Sequence, residues 1–174
     1  MRQKIKTFTL LVTLCCSVLA GLAQQFELPQ NITLDKAGDY VKYEKDIIAA
    51  ANWLESTPIG KEDDKRKQVS TFIMQWITGS PTVTIELNAN GLTKIADKNP
   101  EMLLMFMAGY TRYALQNNYL NDKVKCSVEG MKSVLNLYKA GGDVKKNKTI
   151  EKAIAAGNEG KFEDWVNENI IAAK

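Results

Sequence analysis

Apolar residues recur along this chain with helical period over most of its length. The clearest stripe is Val69, Phe72, Ile73, Trp76 and Ile77, at i, i+3, i+4, i+7 and i+8, which places all five on one helical face. Asp63 and Asp64 precede it, acids suited to the positive end of a helix dipole. Gly79-Ser80-Pro81 stops it. A helix over residues 63–79 is predicted. The most apolar stretch is Met102 to Tyr110, which carries no charge. Asn99, Pro100 and Glu101 introduce it as a cap, a first helical residue and a dipole partner. Apolar side chains lie all round its first two turns, so no solvent face is expected there. A membrane span needs about 20 apolar residues, and this run ends at Thr111-Arg112. It therefore predicts a central core helix over residues 100–116.

Other elements follow the same period. Tyr40, Val41, Tyr43, Ile47, Ile48, Ala51 and Leu54 predict one helix over residues 35–55, ended by the Pro58 and Gly60 turn. Residues 82–87, with Val83, Ile85 and Leu87 alternating, read as a short extended segment. It is expected to lie against the helices or to pair near residues 26–28. A short helix is expected over residues 91–96. Asn121 or Asp122 caps the next helix, which carries Val124, Val128, Met131, Val134, Leu135 and Tyr138 and ends at Gly141-Gly142. Two shorter helices, over residues 148–156 and 161–173, close the chain. Ala108, Gly109, Tyr110 and Tyr113 resemble part of the first helix of tetratricopeptide repeats, but no fixed period recurs, so the pattern implies helix packing and no family.

The N-terminus changes the charge. Arg2, Lys4 and Lys6 precede an apolar run from Phe8 to Leu19 and the small residues Ala20 to Ala23. That is the pattern of a cleaved signal peptide, residues 1–23. Cleavage is expected after Ala23, with Ala20 the alternative site. Export to the periplasm or the outside of the cell follows. The whole chain is formally +3, but the leader takes three basic residues and no acidic one. What remains is neutral, so the pI near 8.6 is no sign of a nucleic-acid partner. Only Arg66 and Arg112 are left as arginines to read phosphates or bases. Cys15 and Cys16 also leave with the leader. Cys126 stands alone, expected as a small buried hydrophobe.

Candidate chemistry is sparse. The chain has no histidine, which removes the commonest general base and metal ligand. No cofactor, metal site or phosphate loop is predicted. The acid pairs Asp63-Asp64 and Glu163-Asp164 fall at helix starts as dipole partners. Met102, Met105 and Met107 lie in the most apolar helix and read as core. Trp53, Trp76 and Trp165 fall on three helices as anchors. The most suggestive cluster is Tyr110, Arg112 and Tyr113. Arg112 is the only arginine near the apolar helix, and its guanidinium suits a carboxylate with a tyrosine hydroxyl beside it. The competing role is packing by the tyrosines and pairing of Arg112 with a nearby acid.

The expected fold is all-α. A lead-in at residues 24–34 precedes a single domain, residues 35–174, of about five to seven helices. These pack as antiparallel hairpins around the apolar helix at residues 100–116. The expected function is non-catalytic: an exported protein that binds a protein or small ligand in a groove between helices. It is not expected to be an integral membrane protein. The alternatives are a structural homo-oligomer and a small enzyme using carboxylate, Tyr or Lys chemistry.

Overall fold

The computed structural model describes residues 26–173. The expected signal peptide and its cleavage site lie outside them. The described residues form eight α-helices: α1 (Ala37–Lys42), α2 (Glu44–Ser56), α3 (Asp63–Gly79), α4 (Ala89–Ala96), α5 (Glu101–Gln116), α6 (Lys123–Ala140), α7 (Lys148–Asn158) and α8 (Phe162–Val166). A π-helical turn, Asn167–Ile171, follows α8 directly. No helix among the described residues is long and apolar enough to cross a membrane.

The apolar run becomes the most buried helix. Nine residues of α5 are buried, among them Met102, Met105, Phe106, Met107 and Tyr110. Full burial of each large apolar side chain contributes about 1.5–3 kcal/mol. Helix α5 packs against α2, α3, α4 and α6. Leu103 and Leu104 are only half-buried, so the first two turns do keep a partly open edge. Its closest neighbour is α6. A Cβ on Gly130 would stand 2.7 Å from the Phe106 carbonyl, and one on Gly109 would stand 2.6 Å from Ser133 Cβ. The two helices approach closely there because neither glycine has a side chain.

Three expectations change, and one pair of alternatives is resolved. The helix predicted over residues 35–55 is two helices, broken at Tyr43 (φ −96°, ψ 4°). Trp76 Nε1 donates to the Tyr40 carbonyl at 2.9 Å, and the Tyr43 N–H turns back to the same oxygen at 3.1 Å. An oxygen shared in this way ends α1 after Lys42. Of the two placements expected for residues 82–87, the first holds: they form no strand and do not pair with residues 26–28, and Val83 and Ile85 lie against the core while Leu87 is 47% exposed. The isolated bridge among the described residues instead joins Ile59 to Gly142. Asn99 does not cap α5 with its side chain. Its amide instead donates to the Lys145 carbonyl at 2.7 Å and accepts from the Lys145 N–H at 2.8 Å. The predicted last helix is a short α-turn followed by the π-turn; the Ile171 carbonyl at its end and the Ala173 carbonyl beyond it accept from Asn88 Nδ2 at 2.9 and 3.0 Å.

Asn147, expected in a polar linker, is 4% exposed and holds two helix ends at once. Its Oδ1 caps α7 by accepting from the Thr149 and Ile150 N–H groups at 2.9 and 3.1 Å. Its Nδ2 sits among the Lys94, Ile95 and Asp97 carbonyls at the end of α4, at 3.0, 3.1 and 3.1 Å. Aspartate is ordinarily as good a helix cap as asparagine. Here Asn147→Asp keeps the cap and turns a carboxylate onto three carbonyls. The expected loss is about 2–3 kcal/mol, read as a lower urea midpoint with unchanged slope. An Asp variant as stable as the wild type would show that the Nδ2 contacts contribute nothing.

Candidate functional site

Three helices bring polar side chains into one seam. Asn52 and Glu55 are one turn apart on α2, and Ser133 and Asn136 are one turn apart on α6. Helix α5 places Arg112 between them. Arg112 Nη1 donates to Asn52 Oδ1 at 2.6 Å, and Nη2 donates to Ser133 Oγ at 3.0 Å. Nη2 also pairs with Glu55 Oε2 at 2.7 Å. That pairing is electrostatic and not an aligned hydrogen bond. The other Glu55 oxygen accepts from Asn136 Nδ2 at 2.6 Å. The guanidinium fork that the sequence offers to a carboxylate is thus engaged by Glu55 of the same chain. Both side chains are 16% exposed, so the pair is only partly screened by water.

The tyrosines go elsewhere. Tyr110 is 1% exposed and packs its ring on Phe106. Its hydroxyl has no hydrogen-bond partner. Burial, followed by the neighbouring Cys126, Glu86 and Asp122, pushes its pKa up to about 12. Tyr113 is half-buried against the core. Tyr110 and Arg112 therefore share no partner, and the structure does not bring the three residues to one point. Cys126 is buried; its thiol donates to the Leu120 carbonyl at 3.4 Å, and burial raises its pKa. Met102, Met105, Met107, Trp53 and Trp76 lie in the core, while Trp165 is half-buried against it.

A different arginine lines a cavity. Arg66, on the second turn of α3, is 7% exposed. Its Nη1 donates to the Thr57 carbonyl at 2.7 Å and the Leu54 carbonyl at 3.4 Å, closing the C-terminal end of α2. Among the described residues, no carboxylate forms an ion pair with it. Burial lowers its pKa from the ordinary arginine value, and Glu101 and then Asp63 draw it back up. An arginine remains charged there, so this is a buried cation compensated by backbone dipoles and by acids standing off from it.

The cavity beside Arg66 has a volume of about 290 Å³ and lies between α2, α3 and α5. Leu54, Leu104 and Met105 supply apolar wall, and Asp63, Lys67, Ser70 and Glu101 supply polar wall. It is smaller than the open groove of about 600 Å³ beside Tyr40 and Met74. It is also more enclosed, and it alone of these two has a buried charge on its wall. Reading the sequence missed Arg66, although the signal was present. Counting back three residues from Val69 on the α3 stripe lands on Arg66, so a charge occupied a position in core register.

Comparison with known proteins returned no match to a family model, a curated protein or a solved structure.

Two measurements follow from the seam and from Tyr110. Arg112→Ala leaves Glu55 and Ser133 without their cation, and is expected to lower stability by about 1–3 kcal/mol. An unchanged urea midpoint would show the seam to be energetically idle. Tyr110→Phe removes a hydroxyl with no partner, so stability at pH 7 should hold or rise. The folded pKa of about 12 exceeds the ordinary value of 10.0, so the buried neutral phenol contributes stability that is full below pH 10. That stability disappears as pH climbs from 10 to 12. Denaturant midpoints across this interval should fall less steeply for the phenylalanine variant. Equal slopes would rule out Tyr110 as a source of the alkaline loss.

Proposed function

We propose that this chain is an exported, non-catalytic helical protein that binds a small ligand in the cleft between α2, α3 and α5. One observation carries the reading: a nearly buried guanidinium, in no ion pair among the described residues, lines a partly enclosed cavity. A buried charge with incomplete compensation is costly. An incoming anion group would offset that cost and gain a charge-assisted hydrogen bond. The volume, about 290 Å³, suits the smallest of the ligands for which pockets span roughly 300–1,000 Å³.

In this reading the helices form a single domain of antiparallel hairpins around α5, supported by its burial and by its packing against α6. Tyr110, Arg112 and Tyr113 then serve the framework that shapes the cleft, and the ligand lies at Arg66. Export rests on the signal-peptide pattern of residues 1–23. A protein partner is the second reading, favoured by the groove where Met74 is 39% exposed beside Ile32 and Tyr40.

The test uses native mass spectrometry after incubation with an envelope extract. Ser70 is half-buried on the cleft wall, so Ser70→Trp fills the cleft from its rim. A small molecule retained by the wild type and absent from Ser70→Trp is the expected result. Equal retention by both, or retention by neither, rejects the cleft. Retention of a protein by both variants moves the reading to the groove beside Met74.

A further inference from the structure

The charges around the cleft restrict what it can hold. Two cations, Arg66 and Lys67, and two acids, Asp63 and Glu101, line it. The lining is formally neutral, but its charges are not arranged in pairs. A simple anion such as phosphate would gain Arg66 and meet both acids at close quarters. A simple cation would meet the acids and the buried guanidinium. Either way a like charge is left close by, at a cost that grows in a partly enclosed site. A ligand carrying both charges avoids that cost.

Asp63 is the first residue of α3 and Glu101 is the first residue of α5, so the helix starts are matched by the protein's own acids and the end of α2 by Arg66. The ligand is therefore selected by these side-chain charges and not by the helix dipoles. Arg66 gives its Nη1 to the Thr57 and Leu54 carbonyls, which leaves the Nε and Nη2 edge of the guanidinium for a carboxylate. The remaining wall, Leu54, Leu104 and Met105, is apolar.

We propose that the cleft binds a free α-amino acid with an apolar side chain. Arg66 takes the carboxylate, Asp63 and Glu101 take the ammonium, and the side chain lies on Leu54, Leu104 and Met105. This rests on the cleft being the binding site.

Isothermal titration of the purified protein with L-leucine and L-methionine tests it, beside N-acetyl-L-leucine, L-leucine methyl ester and leucyl-leucine. The free amino acids are expected to bind. Esterification and extension to the dipeptide should each weaken binding at least about tenfold, the loss expected when nearly buried Arg66 is left without its partner; acetylation, which takes the ammonium from the exposed acids, should weaken it by a smaller but measurable factor. Arg66→Lys, which keeps the charge and loses the fork, should weaken leucine by a similar factor. Because Arg66 also caps α2, a second variant guards against misfolding. Asp63 and Glu101 are exposed but also offset the charge of Arg66, so Asp63→Asn with Glu101→Gln is titrated only after its urea midpoint shows it folded. That variant should weaken leucine and erase its advantage over the acetylated form.

The proposal is overturned if N-acetyl-leucine or the dipeptide binds as tightly as leucine, or if none of the panel binds. The cleft itself is judged separately. A different metabolite retained from the extract and lost in Ser70→Trp would overturn the amino acid and keep the cleft. No retained metabolite and no titration would overturn both.

Discussion

Gly109 leaves α5 open to the Ser133 side chain of α6, and Gly130 leaves α6 open to the Phe106 carbonyl of α5. The rest of the molecule depends on that approach. It brings Ser133 within 3.0 Å of the Arg112 guanidinium, and Arg112 in turn reaches Asn52 and Glu55 on α2. Two glycines therefore position three helices, because the arginine fork can only bridge partners already held close. The same approach sets the lateral position of α5, and with it Leu104 and Met105 on the cleft wall. Gly in a helix interior costs about 1 kcal/mol relative to Ala. Here that local cost is offset by packing that a methyl group would prevent.

Much of the helical layout was legible in the sequence because its signals are local. The α3 boundaries follow from the paired acids and the Gly-Ser-Pro stop. The α6 start follows from Asp122, whose side chain accepts from the Lys125 N–H at 3.0 Å. The missed features all depend on a partner far along the chain. Trp76 breaks the first helix at Tyr43, and no pattern within residues 35–55 contains Trp76. Asn99 and Asn147 look like ordinary cap or linker residues, but their amides are drawn to Lys145 and to the end of α4. Residues 82–87, by contrast, lie extended against the helices as their alternation allows, since a strand needs a neighbour to supply hydrogen bonds.

The candidate site was half legible. Arginine scarcity drew attention to Arg112, whose fork is then seen to be engaged by Glu55. Arg66 escaped because it was weighed as a residue type and not as an occupant of the stripe. A charge in core register carries information that its chemistry alone does not. Such a residue either finds a partner within the fold or leaves part of its need unmet. Thr57 and Leu54 meet part of that need with carbonyls, which links the C-terminal end of α2 to the wall of the cleft.

The bridge between Ile59 and Gly142 has a consequence for how the chain finds its fold. Ile59 donates to the Gly141 carbonyl at 3.2 Å and accepts from the Asp143 N–H at 2.9 Å, and Gly142 has φ +83° with Ile59 backbone against it. The α5–α6 pair closes over a short connection, whereas this clasp joins loops separated by α3, α4, α5 and α6. Its loop-closure entropy is offset only after those helices are in place. The clasp thus ties the start and the end of the four-helix run at a single point, so a change at Gly142 is felt at the entry to α3 as well as at the exit from α6.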